Sequence, residues 1–296
     1  MPSSSHPGAK PPRARQNSRP QQRPNTRPNQ RGGRQQQQQH ERPKPPTQVM
    51  LYGMHPVIEA LNNPARRCRI LWLDQGKERE LTNIFQPILD AHDNPPPVQW
   101  TSRDYIAKES QSTPDQHVPH QGVMLRCAPL DPLDEPDLLN LPDGAMVLAL
   151  DQVTDPHNVG AMIRSAVAFG VQALVTTDRN TPYESGLMAK TASGGMDRLP
   201  WARVKNLGDT LEQMRELGFI VIGLDGNTDL GLPQLPSLKG QRVVLVLGAE
   251  GSGLRTRTKG LLDHCVRLPT LPDFPHLNVS NAAAIALYEI ANRLKA

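Results

Sequence analysis

Aromatic residues are scarce in this chain. Four Phe, four Tyr and three Trp make up 4% of its 296 residues, so it holds few of the large anchors on which a uniform globule is built. Cysteine is scarcer: Cys68, Cys127 and Cys265 lie far apart with no CxxC pair. That spacing excludes a disulfide framework and a zinc site, and points to a reducing, cytosolic setting. Long apolar runs are missing too. The longest, such as 145–150 and 243–247, fall far short of the roughly 18 to 20 residues of a membrane helix, so a spanning protein is excluded. The first 48 residues lack Val, Ile, Leu, Phe, Tyr and Trp altogether, while ten are Pro and ten are Gln. Such a stretch cannot bury enough apolar surface to offset its ordering entropy.

What that stretch does hold is positive charge: ten basic residues against one acid, Glu41. It reads as a disordered basic arm, residues 1–48. Its frequent prolines and missing apolar face argue against a mitochondrial presequence. An Arg-Gly-Gly-Arg stretch, Arg31 to Arg34, suits contact with an RNA backbone through charge. The rest of the chain carries 28 acids against 23 bases and is long enough for one large domain or two modest ones.

Folded sequence begins near Val49. The pattern predicts a helix over 56–61, a strand over 69–73, a helix over 78–91, a strand near 98–100, a helix capped by Ser102 and a strand over 122–127. A compact α/β domain, 49–128, follows, then a Pro-rich stretch, 129–144, resembling a linker. From Ala145 strands and helices alternate. Strands are expected over 146–150, 171–176, 219–224, 242–247 and 264–268, and helices over 159–169, 207–217, 254–263 and 278–294. The fold class is therefore α/β. Residues 145–296 form a mainly parallel sheet covered on both faces, with ligands at the carboxyl ends of the strands.

Three loops at those ends carry the chemistry. The first reads Asp151-Gln-Val-Thr-Asp155-Pro156-His157-Asn158-Val-Gly160, with Arg164 beyond it. Asn158 and Arg164 are six residues apart, about 240° around a helix, and converge only if Asn158 belongs to the entering turn. The second, Gly248-Ala-Glu250-Gly251-Ser-Gly253, allows a tight turn close to a ligand. It has neither dinucleotide GxGxxG spacing nor a P-loop lysine, and Glu250 suits a hydroxyl or amine donor better than a phosphate. The third runs from Leu268 through His276, Leu277, Asn278, Ser280 and Asn281 into an Ala-rich helix. Taken singly, each polar residue is equally well explained as a helix cap.

Together, and in this order, the three loops resemble the motifs of the SPOUT class of RNA methyltransferases, in the TrmH (SpoU) family. The resemblance covers 145–296. More loosely, Tyr52-Gly53-x-His55-Pro56 with Glu59, and His120-Gln121-Gly122, are similar to the L30e-like substrate-binding domain of the branch that methylates a guanosine ribose in 23S rRNA. The resemblance implies a trefoil-knotted methyltransferase domain, S-adenosylmethionine as cofactor, RNA as substrate and a cytoplasmic homodimer with its site at the subunit interface. It places cofactor contacts on Gly248, Leu268 and Leu277, largely through backbone, and site residues on Asn158, Arg164, Glu250 and Asn278, with Ser280 beside them. The family's proposal has Arg164 help deprotonate the hydroxyl; because a guanidinium stays protonated, Arg164 is expected instead to bind a neighbouring phosphate and orient the hydroxyl, while Asn158 and Glu250 hold Arg164 and the ribose. One position departs from the pattern: where the family usually has Ser, this chain has His276, a solvated loop residue, a replacement hydrogen-bonder or a base. A tRNA ribose, or an RNA-binding role without turnover, are the alternatives.

Overall fold

The computed structural model describes residues 45–110, 119–271, 273 and 277–296. Residues 1–44 of the basic arm, and His276, lie outside the described residues. The described residues form one compact unit. Its described strands make two sheets.

In chain order the first part runs β1 (Val49–Tyr52), α1 (Met54–Asn62), β2 (Cys68–Asp74), α2 (Glu78–Asp90), β3 (Val98–Thr101), α3 (Arg103–Ser110) and β4 (Val123–Cys127). The sheet order is β1-β4-β2-β3, with β4 antiparallel to both neighbours and β3 parallel to β2. Alternation along each strand decides the faces. Leu71, Leu73, Val123 and Leu125 meet Val57, Leu61, Leu81 and Phe85 of α1 and α2. Trp72 and Met124 meet Ile106 of α3 on the other face. Ser102 starts α3 as expected, its hydroxyl accepting from Tyr105 N at 3.2 Å.

The second part runs α4 (Glu135–Leu139), β5 (Met146–Asp151), α5 (Pro156–Ala168), β6 (Ala173–Thr177), α6 (Gly186–Ala192), β7 (Trp201–Val204), α7 (Leu207–Glu216), β8 (Phe219–Leu224), β9 (Arg242–Gly248), α8 (Thr256–Lys259), β10 (His264–Val266) and α9 (Val279–Lys295). The sheet is parallel throughout, in the order β10-β8-β9-β5-β6-β7. Every residue of β5 is buried, as near-continuous apolar strands between two helical layers must be. Met146, Leu148 and Leu150 face Val159, Met162 and Ile163 of α5 and Leu287 and Ile290 of α9. Val147 and Ala149 face Leu207, Leu211 and Met214 of α7.

Two sequence expectations need correction. The helix expected over 254–263 shrinks to Thr256–Lys259, because Arg255 and Thr258 are tied to a buried carboxylate and hold the turn in place. The strand expected over 264–268 stops at Val266. Within 129–144, Leu138 of α4 is fully buried, and Leu133 N donates to Trp201 O. Strand β7 and helix α6 went unanticipated, although Trp-Ala-Arg-Val alternates as a strand should.

A buried charge cluster bolts the first part to the second. Arg66 donates from Nε to Asp197 Oδ1 at 2.8 Å and from Nη1 to Glu184 Oε1 at 2.6 Å and Ala128 O at 3.1 Å. Glu184 Oε2 also accepts from Leu130 N at 3.0 Å, and Asn63 Nδ2 donates to Asp197. The three charged side chains are at most 7% exposed. Burial opposes the Arg66 charge, but the hydrogen bond to Asp197 and the two carboxylates outweigh it and hold its pKa above the ordinary value. Burial pushes Glu184 upward, with Arg66 pulling against it.

The same burial silences the thiols. Desolvation pushes Cys127 up to about 12 and Cys68 up to about 11 from an ordinary 9.0, and raises Cys265 as well. Only thiolates are reactive, so the native protein should resist alkylation by iodoacetamide at pH 8 and react rapidly in denaturant. The linkage has a definite sign. The unfolded thiols ionise first, so their contribution to stability is complete below about pH 9 and is lost as pH rises through the folded values. Urea titrations from pH 8 to 11 should show the midpoint falling, and a thiol-free variant should show a shallower fall.

Candidate active site

Strands β5 and β9 pair from Met146 with Val243 to Asp151 with Gly248. Beyond that last pair the chain leaves β5 toward the α5 face, while Leu254, after β9, packs on the α7 face. A crevice at the carboxyl ends is therefore built into the strand order.

After β5, the Asp155 carboxylate accepts from His157 N at 3.1 Å and Asn158 N at 3.4 Å, and Pro156 fills a first-turn position that needs no donor. This cap starts α5 at Pro156, ahead of the expected 159. Asn158 thus lies inside the helix, 6% exposed. After β9 the chain doubles back, with Gly253 N donating to Ala249 O at 2.9 Å. Gly248 lies beneath the returning strand, where a Cβ would sit 2.2 to 2.4 Å from backbone atoms of Gly253 and Leu254; no other residue fits. Before α9, Asn278 is the cap, its Oδ1 accepting from Ser280 N at 2.9 Å and Ser280 Oγ at 2.5 Å.

The three loops meet at one carboxylate oxygen. Glu250 Oε1 accepts from Asn158 Nδ2 at 3.2 Å, Asn278 Nδ2 at 2.9 Å and Val279 N at 3.3 Å. The second hydrogen of Asn278 Nδ2 goes to Asn158 Oδ1 at 3.0 Å. Three segments distant in sequence are closed into one ring by a single carboxylate oxygen. Oε2 of Glu250 is left free among the described residues, an acceptor suited to a hydroxyl donor.

Arg164 stands apart. It is exposed on α5 and makes no hydrogen bond or ion pair among the described residues. With Asn158 inside the helix, the condition for the two to converge is not met, and neither Asn158 nor Glu250 holds Arg164 within one chain. Leu268 follows β10 and packs partly buried against the core; Leu277 is 42% exposed immediately before Asn278. Sequence reasoning passed over two residues at this edge, Asp151 and Arg255. An acid closing a wholly apolar strand was the available signal, since a buried carboxylate demands a partner.

Against known proteins, a model of the SpoU rRNA Methylase family matches residues 145–288, and a model described as RNA 2'-O ribose methyltransferase substrate binding matches residues 50–133. The 23S rRNA (guanosine-2'-O-)-methyltransferase RlmB of Shewanella oneidensis is 35% identical over 245 residues, covering 82% of this chain and 96% of that protein. The protein of the same name from Pseudomonas aeruginosa is 35% identical over 244 residues, covering 81% and 94%. The SpoU methyltransferase AviRb from Streptomyces viridochromogenes, solved in complex with AdoMet, shares the fold with a TM-score of 0.68 at 23% identity, over 83% of this chain and 90% of that one.

Proposed function

Because the chain belongs to the SpoU rRNA methylase family, we propose that it methylates a ribose 2′-hydroxyl of RNA, a guanosine of 23S rRNA, in the cytoplasm. The observation that carries this reading is the closure of three loops on Glu250 Oε1 at the crevice between β5 and β9. S-adenosylmethionine, when bound, supplies the methyl group. The crevice fits it: Gly248 leaves no room for a side chain beneath the returning turn, so backbone of Gly248, Leu268 and Leu277 would hold the donor. Glu250 Oε2 accepts a ribose hydroxyl, while Asn158 and Asn278 fix the carboxylate against rotation. Orientation of that kind supplies on the order of 7 to 11 kcal/mol in the best intramolecular cases.

The substrate-binding part is L30e-like in this reading, with domain limits at 49–128 and 145–296, and the methyltransferase part is a trefoil knot. The segment around Pro233 and Leu235, which accepts from Arg293 of α9, supports the latter: a crossover lies over the helix that such a knot threads. The active form is a homodimer. Ile285 and Tyr288 on α9 are 47% and 56% exposed, three residues apart on one helix face, and Tyr288 stacks edge-on against Phe169 beyond α5. Pairing through this face would bring Arg164 to the crevice of the second copy, where it binds phosphate and orients the hydroxyl. Among the described residues no helix is long and apolar enough to cross a membrane.

Incubation of the protein with tritiated S-adenosylmethionine and 23S rRNA from cells lacking it should label one 2′-O-methylguanosine. Label appearing only in tRNA, or donor binding without transfer to either RNA, would reject the reading.

A further inference from the structure

Among the described residues, the ring around Glu250 contains amides and a carboxylate but no cation, although an RNA ribose arrives flanked by phosphates that a protein positions through donors. We infer that Arg255 supplies that cation, binding the RNA backbone beside the target ribose, and that Asp151 is its positioning residue. The inference rests on the proposed activity and adds, from the same chain as Glu250, a second phosphate contact to the one given there to Arg164 of the other copy.

Asp151 closes β5 and is fully buried. Its Oδ2 accepts from Arg255 N at 3.2 Å and Thr258 Oγ1 at 2.7 Å. Arg255 Nε lies 2.6 Å from Oδ1, an ion-pair contact rather than an aligned hydrogen bond. Both carboxylate oxygens are therefore engaged by the one segment that follows the Gly-rich turn. The Arg255 side chain is nonetheless 43% exposed, and its two terminal nitrogens have no partner among the described residues. A buried anion thus holds Nε, while the outer edge of the fork is offered to solvent at the carboxyl end of the central strand. Planar paired donors of this kind match phosphate oxygens, which an ammonium cannot do. Holding the side chain in advance removes most of the entropy otherwise lost on binding.

Arg255→Lys keeps a cation for Asp151 but removes the outward edge. We expect its KM for undermethylated 23S rRNA to rise about tenfold and the slope of log affinity against log salt to shrink by about one, as for one lost phosphate contact. Its kcat and its affinity for S-adenosylmethionine by calorimetry should stay within about twofold. Asp151→Asn, which frees the guanidinium to swing, should give a smaller rise in KM. Should the Lys variant lose its melting transition, Arg255→Gln combined with Asp151→Asn exchanges the ion pair for a neutral one and must show the same loss of salt slope. An unchanged RNA KM and salt slope would overturn the inference, as would weakened donor affinity with unchanged RNA binding, which assigns the guanidinium to the donor's carboxylate. A wild-type protein that fails to methylate rRNA is a separate result, one that removes the proposed activity before Arg255 is tested.

Discussion

Glu250→Ala should lower methyl transfer by at least about 100-fold, the scale at which a misplacement of about 1 Å is felt. The substitution removes the acceptor that Asn158 Nδ2, Asn278 Nδ2 and Val279 N share, so the loops after β5 and β9 and before α9 lose their common point. Glu250→Gln separates shape from charge. Its carbonyl can still accept from all three donors with its amide turned outward, so a loss of about tenfold is expected, close to the difference between a charge-assisted and a neutral hydrogen bond. If Gln is as damaging as Ala, the negative charge itself is required. If Ala is as active as wild type, the ring has no part in turnover. Asn158→Asp provides an independent check, because it places a second carboxylate within about 3 Å of the first. Two such groups cannot both ionise readily, so one is raised in pKa. The variant should be nearly inactive at pH 8 and recover partly as pH falls, opposite to the trend for a lone base.

The second large effect lies away from the chemistry. Arg66→Met should destabilise the protein by about 3 to 5 kcal/mol, since breaking a buried ion pair leaves its partner charges uncompensated. Here two are left, Glu184 and Asp197, with side chains 7% and 1% exposed. For a folded unit of this size the loss corresponds to a fall in Tm of between about 6 and 20 °C. Replacing Glu184 and Asp197 by Gln and Asn in the Arg66→Met background should restore much of the loss, because apolar and neutral replacements of buried ion clusters are often harmless once no charge is stranded. A melting curve for Arg66→Met within about 1 °C of wild type would show that solvent reaches the cluster and that the two parts are joined by apolar contact alone. The position also bears on function: Glu184 precedes α6, and α6 packs closely on α5 where Met188 O faces Gly160. Loosening the cluster is expected to raise KM for RNA more than it lowers kcat.

The cysteines illustrate how far sequence arithmetic reaches. Their spacing excluded a disulfide framework, but only the fold shows that Cys127 lies beside the Arg66 cluster with its thiol pushed up to about 12 by burial. The same division holds through the chain. Apolar runs are local, so the strands over 219–224 and 242–247 were legible from single windows, and observed β8 and β9 agree with them to within a residue. Capping is also local, and Ser102, Asp155 and Asn278 all cap as their types dictate. Short elements were lost where small or polar residues dilute the pattern, as in α6.

What the linear sequence determined is therefore whatever depends on near neighbours: the α/β alternation, the loop motifs, the basic character of the arm and the membership of a family whose loops carry the same letters in the same order. What the tertiary structure decided is which distant groups share a space. Asn158, Glu250 and Asn278 were each readable as caps or turn residues, and only the pairing of β5 with β9, with α9 packed in the same core as α5, puts them around one oxygen. The Asp155 cap, by starting α5 at Pro156, kept Arg164 out of the ring, while the strand pairing joined Arg255 to Asp151. Hydrogen bonds and ion pairs act over about 3 Å, whereas sequence patterns report periodicity along the chain, and nothing in periodicity fixes which carboxylate a guanidinium 104 residues away will meet.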